Sequence, residues 1–407
     1  MSLHKAFSWS ALESIGSRFF DLIALLVVMN ALPQGEVVLF GVATSAIFIF
    51  NLTLIAPETS LLRFQKVWAS SGCLEDFIGS FMGFNALKVA LHVGALLIVW
   101  FFWGGGGAFY AIVFSLITQL IQTAEISRIY HRMELEQSFV ARFELTSKAI
   151  WMLACLSVFY FQTAAWYFTI FAVWALCSAA IWTVILRNKI SFKINLLGCF
   201  NRVLEAVKGF SLWSHFAGVI TLFLYNSNIL FLQWFGGEEG QIALVTVVNK
   251  TANLFFVVPM FIQGFVPVLL ANAQSSQSGF RLILLGNGVI SAIQLIVFII
   301  AGSWLGRVFG VSDESVDQYY MLGLWVCVGI FVLNITRPLS TFLMVKTPPW
   351  QVLIFVFLPV GIIAIGAFSY AAIYYKALGV ATASCFIYLL LAVMLVVNYM
   401  LYRKNKS

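Results

Sequence analysis

The amino-acid sequence predicts an all-α integral membrane protein with about twelve transmembrane helices in two parallel six-helix lobes around a central cavity. Three observations predict this fold: the hydropathy, the length of the apolar segments, and a sequence word that occurs in each half of the chain. The mean hydropathy is +0.97, and 62% of the 407 residues are hydrophobic whereas 10% are charged. Because about a quarter of the residues are charged in a soluble domain, the chain is expected to lie in a membrane.

The apolar segments have the length of membrane-spanning helices. Backbone polar groups in lipid must be hydrogen-bonded within a helix or a closed barrel, and uninterrupted apolar segments of about 20 residues favour helices. Several segments are short or closely spaced, so eleven or thirteen spans are also compatible with the pattern. The twelve predicted spans cover roughly residues 10–32, 37–57, 79–103, 108–127, 146–162, 164–186, 210–235, 241–270, 281–303, 318–337, 351–375 and 378–402.

Lysine and arginine residues lie mainly in the connections on one side of the predicted membrane. Only Arg307 and Lys376 fall on the opposite side when the N-terminus is placed in the cytoplasm. Cytoplasmic connections are enriched in these two residue types, so both termini are expected to be cytoplasmic. The formal net charge of +7 then reflects membrane topology and requires no nucleic-acid partner.

A short sequence word opens each half of the chain. The residues Phe7–Ser10 (FSWS) recur with one insertion as Phe210–Ser214 (FSLWS), and each copy precedes an apolar span, a connection with glycine and glutamate, and a span with proline, Pro57 or Pro259. Six spans separate the copies, so the halves keep one orientation, as in transporters built from parallel repeats. The predicted domains are an N-terminal six-helix lobe over 1–190, an amphipathic cytoplasmic linker helix over 191–209 and a C-terminal six-helix lobe over 210–407.

The predicted linker helix has an apolar stripe opposite its charged residues. A helix with this pattern is expected to lie on the membrane surface. The residues of the stripe are Leu197, Phe200, Val203, Leu204 and Val207.

The sequence contains no pattern typical of a catalytic, metal or nucleotide site. The six cysteines are scattered and form no CxxC motif or Cys/His cluster. The four glycines at residues 104–107 lack the strand, helix and lysine of a phosphate-binding loop. We therefore expect a protein that is not an enzyme and has no cofactor and no metal.

Three cations are predicted to lie deep in the membrane. They are Arg18, Lys88 and Lys250, and a charged side chain at the centre of a bilayer costs at least about 2.5–3.5 kcal/mol. Such residues usually face an interior cavity or a partner, so these three are predicted to bind substrate in a cationic cavity. Two alternatives stay open: Arg18 forms an ion pair with Asp21 one helical turn away, and Lys88 extends to the headgroups.

Further polar residues in the spans are candidates for tuning the cavity or for helix packing. Glu125 and Arg128, near the end of the fourth span, are either a gate or an interfacial ion pair. Glu13 is interpreted as a capping or interfacial carboxylate, and Arg337 is expected to extend to the cytoplasmic headgroups. The remaining candidates for the cavity are Asp21, His92, His215, Asn226, Asn228, Asn249 and Asn253.

The stretch Leu224–Ala271 and the residues FSWSALESIGSRFFDLIALLVVM near the start resemble the polysaccharide flippases of the multidrug/oligosaccharidyl-lipid/polysaccharide exporter superfamily. The shared pattern is a polar start to the first and seventh spans, a short glycine turn, and an eighth span with polar residues around Lys250. The resemblance implies a bacterial inner-membrane flippase that moves undecaprenyl-diphosphate-linked oligosaccharide, such as an O-antigen repeat unit, to the periplasmic leaflet. A polysaccharide polymerase and a chain-length regulator are then expected partners besides membrane lipids.

Two other functions fit the same plan. A cation-coupled multidrug or metabolite antiporter would expel mainly cationic compounds and is expected to have an acidic cavity, and a scaffold protein of polysaccharide assembly would need no buried cations. The three deep cations outnumber the one deep acid, Asp21. The sequence therefore favours a net positive cavity and an anionic substrate.

Overall fold

The computed structural model describes residues 3–51, 55–104, 106–208, 211–259 and 276–404. All the regular secondary structure in these ranges is helical. Towards the N-terminus, a 3₁₀-helix covers Pro57–Ser60, and the α-helices are α1 (Leu3–Ala31), α2 (Gln34–Ser45), α3 (Ile47–Asn51), α4 (Leu61–Ser70), α5 (Leu74–Trp103), α6 (Gly107–Met133), α7 (Gln137–Cys155), α8 (Val158–Phe161), α9 (Ala164–Arg187) and α10 (Cys199–Val207).

In the described ranges, the C-terminal half has fewer helices than the N-terminal half, and three of them exceed 30 residues. A π-helical turn at Leu353–Phe357 separates the last two of them. These helices are α11 (Ser211–Trp234), α12 (Glu239–Leu254), α13 (Ser276–Val308), α14 (Val316–Lys346), α15 (Pro349–Val352) and α16 (Leu358–Lys404).

Nine helical segments in the described ranges are long and apolar enough to cross a membrane. One of them, the 56-residue segment Pro349–Lys404, contains Lys376 with φ 52° and ψ −133°, which is not a helical conformation. Dividing this segment at Lys376, and adding α1 and the shorter apolar stretch Gln34–Phe50, gives twelve helical segments. The predicted all-α, multi-pass membrane fold with about twelve helices is confirmed.

Some span boundaries differ from the prediction. The predicted span 37–57 is interrupted where α2 ends at Ser45, and the predicted span 146–162 begins earlier, at Gln137. In the predicted span 241–270, α12 ends at Leu254. Residues 260–270 of that span lie outside the described ranges, as does Phe210 of the repeated word.

The chain divides into two compact units, Met1–His215 and Phe216–Ser407. In the first unit α6 packs against α2, α5 and α9, while α1 packs against α7. In the second unit α14 packs against α12, α13 and α16. The domain boundaries expected from the sequence, 1–190, 191–209 and 210–407, stay a prediction.

The segment that precedes α10 lies against the backbone of α5. The amide of Asn195 donates a hydrogen bond to the Gly79 carbonyl over 3.1 Å. A Cβ atom at Gly79 or Gly83 would overlap the carbonyl of Lys193 or of Asn195. Glycine at both positions therefore allows the two backbones to meet.

The predicted linker helix over 191–209 is helical only at Cys199–Val207, so Leu197 precedes α10, and the predicted apolar stripe is divided between two environments. Val203 and Val207 are buried in the core of the first unit, whereas Leu197, Phe200 and Leu204 are exposed. The exposed part of the stripe is thus narrower than the sequence indicates, because one side of α10 packs against α5. The exposed side keeps the apolar character expected of a membrane-surface helix.

Candidate functional site

The first unit contains an open cavity of about 520 Å³. Helix α1 forms one wall, and α6, α7 and α9 form the others. The lining residues are Ser10, Glu13, Ser14, Ser17, Arg18 and Asp21 from α1, Ile121, Arg128 and Arg132 from α6, Glu144 and Lys148 from α7, and Trp174 from α9.

Helical spacing explains why α1 presents so many polar groups to the cavity. Ser10, Ser14 and Ser17 are three or four residues apart, which places them on one helical face. Between them, Leu12 and Ile15 are apolar and exposed. The sequence of α1 therefore separates a polar wall from an apolar surface.

A network of ion pairs connects four helices behind this wall. Arg132 bonds Glu13 of α1 through Nη2 and Glu125 through Nη1, both over 2.7 Å. Arg128 lies 3.0 Å from Glu125, with its Nη1, and 2.9 Å from Glu144 of α7, with its Nε. The carboxylate of Glu144 also accepts a hydrogen bond from the indole of Trp182 in α9 over 2.8 Å.

The predicted gate residues belong to this network. Glu125 and Arg128 form an ion pair, as one alternative from the sequence had it, but they lie inside α6, which continues to Met133, and not at the end of a span. Glu13 lies well inside α1, which begins at Leu3, and pairs with Arg132, so it does not cap the helix. Its position near the membrane edge stays a prediction. Whether the Glu125–Arg128 pair works as a gate stays a prediction.

Asp21 pairs with a lysine and not with Arg18. Lys148 Nζ lies 2.6 Å from Asp21 Oδ1. The same ammonium group lies 4.6 Å from the ring centroid of Trp151 and 4.7 Å from that of Trp174. The Arg18–Asp21 pair considered from the sequence is therefore wrong, because a residue of α7 takes its place.

Arg18 differs from the other cations of the cavity. Its side chain is exposed and lines the cavity, and it forms no ion pair or hydrogen bond with any part of the chain that the structure describes. Arg128, Arg132 and Lys148 each have a carboxylate partner. Arg18 is thus the cavity cation whose charge is available to a ligand.

The charge of the cavity differs from the simple excess of cations expected from the sequence. Four cations and three carboxylates line it. Glu125, which binds both arginines of α6, lies behind them. With Glu125 counted, four cations face four carboxylates, so the cluster has no net positive charge, and its unpaired positive charge is local, at Arg18.

Lys88 lies in a separate polar cluster of the first unit. Its ammonium group is buried, donates to the Ile55 carbonyl over 2.9 Å and to Gln122 Oε1 over 3.4 Å, and faces the ring of Phe84. His92 donates from Nδ1 to the Lys88 carbonyl, while its Nε2 lies 2.8 Å from Ser115 Oγ. Lys88 is not among the residues that line the cavity with Arg18.

The polar residues predicted in the second unit have mainly internal contacts. Asn228 and Asn249 exchange two hydrogen bonds, of 3.1 and 2.6 Å, and Asn228 also donates to Ser384 over 3.2 Å. Asn226 donates to the Leu222 carbonyl over 3.1 Å. The bonds of Asn228 join α11 to α12 and α16, whereas the bond of Asn226 lies within α11, so a substrate role for these asparagines has no direct support.

The other predicted residues of the second half lie on two helices. His215 lies on α11, and Lys250 and Asn253 lie on α12, all partly buried. Their role in a cavity stays a prediction.

Arg337 is a candidate that the sequence analysis missed. It is 9% exposed and lies inside α14, which continues to Lys346. Its guanidinium group lies 4.8 Å from the ring centroid of Phe256 and 5.7 Å from that of Tyr225. The expectation that Arg337 extends to the headgroups is therefore wrong. Asn334, one turn earlier, and the following Pro338 were the available signals of a special position.

Comparisons with known proteins reveal the fold. No protein-family model and no curated protein sequence matches the chain. Among solved structures, the lipid II flippase MurJ in an inward closed conformation is similar with a TM-score of 0.68 and 15% identity, over 96% of this chain and 87% of that chain. A multidrug resistance MATE family transporter in an outward-facing conformation has a TM-score of 0.67 and 10% identity, over 97% and 93%.

A third structure is a MOP superfamily transporter from Pyrococcus furiosus, described as having a binding pocket of reverse polarity. It has a TM-score of 0.64 and 13% identity, over 98% of this chain and 95% of that chain. The chain has the MOP transporter fold. This fold is common to proteins named as a lipid flippase and as multidrug transporters, so the MOP fold leaves the substrate to be argued from the site.

No metal centre is visible among the described residues of this MOP fold. In the described ranges, no group of three or more His, Cys, Asp or Glu side chains could hold a metal ion. The six cysteines are free thiols. The charged cavity at α1 is therefore the main candidate site in the first unit.

Proposed function

We propose that the chain is a flippase that moves an anionic, undecaprenyl-diphosphate-linked oligosaccharide from the cytoplasmic to the periplasmic leaflet of a bacterial inner membrane by alternating access. The observation that carries this proposal is Arg18, an exposed arginine without a partner among the described residues, in a cavity whose other cations are paired. A diphosphate group has the opposite charge. The substrate is an O-antigen repeat unit or a related surface polysaccharide unit.

The chemistry of the cavity suits such a headgroup. An unpaired charge in a low-dielectric medium costs far more than a charge with a partner, so a diphosphate needs a cation during its passage. Arginine can donate two parallel hydrogen bonds to phosphate oxygens. The hydroxyl groups of Ser10, Ser14 and Ser17 add donors and acceptors for sugar hydroxyls.

The ion pairs around Arg18 explain why it can serve a ligand. Lys148 holds Asp21, and Arg132 holds Glu13, so the two carboxylates nearest Arg18 in sequence are already bonded. If either carboxylate were free, it would compete with an anionic substrate. The network thus supports the availability of Arg18, and the similarity to a lipid II flippase supports a lipid-linked substrate.

A cation-coupled multidrug or metabolite antiporter is the second candidate. The observation that favours it is the set of carboxylates at the cavity wall, Glu13, Asp21 and Glu144. Release of one of them from its cationic partner would create a site for a proton or a cationic compound. Similarity to a multidrug resistance transporter is compatible with this function.

Deletion of the gene and complementation with variants test the proposal. If the chain is a flippase, deletion of its gene should abolish surface polysaccharide and leave lipid-linked units on the cytoplasmic face of the membrane. Arg18→Ala should fail to complement, whereas Arg18→Lys should complement in part because it keeps the charge. Arg142→Ala is the matched control, since Arg142 is an exposed arginine outside the cavity lining.

Two outcomes would contradict the flippase. Normal polysaccharide together with raised drug sensitivity on deletion would favour the antiporter. Full complementation by Arg18→Ala, at normal protein levels, would remove the observation on which the proposal rests. The roles of Lys88 and Lys250, the cytoplasmic termini, and partnership with a polysaccharide polymerase and a chain-length regulator stay predictions that the same strains can test.

A further inference from the structure

We propose that Arg337 of the second unit binds an oxyanion of the substrate, a phosphate or carboxylate group. The binding groups are the N–H donors of its guanidinium group. This group lies close to the rings of Phe256 and Tyr225. This inference rests on the proposed transport of an anionic substrate. It adds an anion contact in the second unit to the contact at Arg18 in the first.

The charge of Arg337 has no counter-ion among the residues that the structure describes. Its side chain is 9% exposed, and no carboxylate of the described chain lies within ion-pair distance. The residues outside the described ranges include no Asp or Glu. Since a buried charge without a partner is strongly unfavourable, folding alone does not explain an arginine at this position.

The hydrogen-bonding groups of Arg337 are also unused. Its Nη1 is buried and has no acceptor, and the guanidinium group makes no hydrogen bond to any described residue. A guanidinium group carries five N–H donors in one plane. Two of them can bind the oxygens of a phosphate or carboxylate in parallel.

Two aromatic rings lie close to the guanidinium group. The rings of Tyr225 and Phe256 stack with centroids 4.7 Å apart, and both lie within cation–π distance of Arg337. A cation–π contact attracts the positive charge but supplies no oxygen acceptor for the guanidinium N–H groups. The rings therefore hold the arginine without neutralising it.

The backbone around Arg337 is fixed by neighbouring helices. Pro338 has no amide hydrogen, so the carbonyl of Asn334 loses its usual helical donor. Asn287 of α13 donates to this carbonyl over 3.3 Å, and Asn334 Nδ2 donates to the Phe255 carbonyl, at the end of α12, over 3.0 Å. Three helices thus hold the turn that carries Arg337, as a preorganised binding site requires.

Binding to the full-length protein in lipid nanodiscs tests the inference. The probes are inorganic pyrophosphate and farnesyl diphosphate, measured by titration calorimetry, and Arg18→Ala serves as background so that the first cavity contributes little. We expect Arg337→Met to weaken binding of farnesyl diphosphate about tenfold or more, the effect of losing a charged hydrogen-bond donor. Arg281→Met is the control, because Arg281 is exposed on α13.

The thermal midpoint of the same samples separates a binding role from a packing role. If Arg337 is present for binding, the Arg337→Met variant should be at least as stable as the parent, because the substitution removes an uncompensated charge. A packing role predicts a lower midpoint with parental affinity, and this result would overturn the inference. Arg337→Lys keeps the charge but not the planar pair of donors, so it should fold and bind more weakly than the parent.

The two probes identify the source of the anion. Tight binding of both indicates that the diphosphate group is recognised by itself, whereas binding of farnesyl diphosphate alone indicates a lipid headgroup. Parental binding of both probes by both Arg337 variants would refute the site. That result would leave the flippase proposal intact, because complementation by Arg18 variants tests it separately.

Discussion

Substitution of Glu144 tests the ion-pair network behind the cavity. The carboxylate of Glu144 is buried, lies 2.9 Å from Arg128 Nε and accepts a hydrogen bond of 2.8 Å from Trp182. Glu144→Gln removes the charge and keeps an acceptor for the indole. Glu144→Leu removes both, so the two variants separate the ion pair from the hydrogen bond.

The structure sets the expected magnitudes. Removing one partner of a buried ion pair costs about 3–5 kcal/mol, and Arg128 retains Glu125 at 3.0 Å. We therefore expect Glu144→Gln to lower the free energy of unfolding by about 3 kcal/mol, the lower end of that range. Glu144→Leu should lose about 0.6–1.7 kcal/mol more, the measured range for hydrogen bonds between membrane helices.

The assay is denaturant unfolding of the purified chain in mixed micelles, followed by far-ultraviolet circular dichroism. Asp313→Asn is the control, because the Arg307–Asp313 pair is 57% and 82% exposed and should contribute at most about 1 kcal/mol. A loss for Glu144→Gln no larger than that of the control would refute the argument. So would a Glu144→Leu variant as stable as Glu144→Gln.

Two further predictions concern the same unit. Gly83→Ala should lower the free energy of unfolding by about 1–3 kcal/mol, because the added Cβ would overlap the Asn195 carbonyl. The control is Gly94→Ala on the same helix, whose Cβ meets no atom within 4 Å and which should cost nothing in the same unfolding assay. Equal losses for the two variants would contradict this explanation. The hydrogen bond donated by Lys189 lowers the pKa of Glu136, so the stabilisation is present above the unfolded pKa of about 4.3 and lost as the pH falls through the lower folded pKa. The stability difference between the parent and Glu136→Gln should therefore shrink on acidification below about pH 4, and a constant difference would show that the carboxylate charge is not involved.

The partners of the cavity residues could not be predicted from the sequence. Glu13 and Arg132 are 119 positions apart, and Asp21 and Lys148 are 127 positions apart. Helical spacing identifies residues on one face of one helix, and it offers Arg18 as one possible partner of Asp21. The choice of Lys148 depends on how α1 packs against α7, which local spacing does not contain.

Arg337 shows a second limit of sequence reasoning. The apolar pattern predicts a span over 318–337, which places Arg337 at the edge of the membrane. In the structure, α14 continues to Lys346 through Pro338. A side-chain amide from α13 supplies the donor that the proline lacks, and the helix can continue because of a contact that belongs to tertiary structure.

The sequence by itself determined the class of this protein. Hydropathy and segment length are properties of each local stretch, and they are sufficient for a multi-pass helical membrane protein with about twelve spans. They also identified Arg18 as a costly charge. Only the tertiary structure decided which charges are compensated, since an ion pair depends on distances between helices: Lys148 and Arg132 pair with Asp21 and Glu13, whereas Arg18 and Arg337 have no carboxylate partner among the described residues.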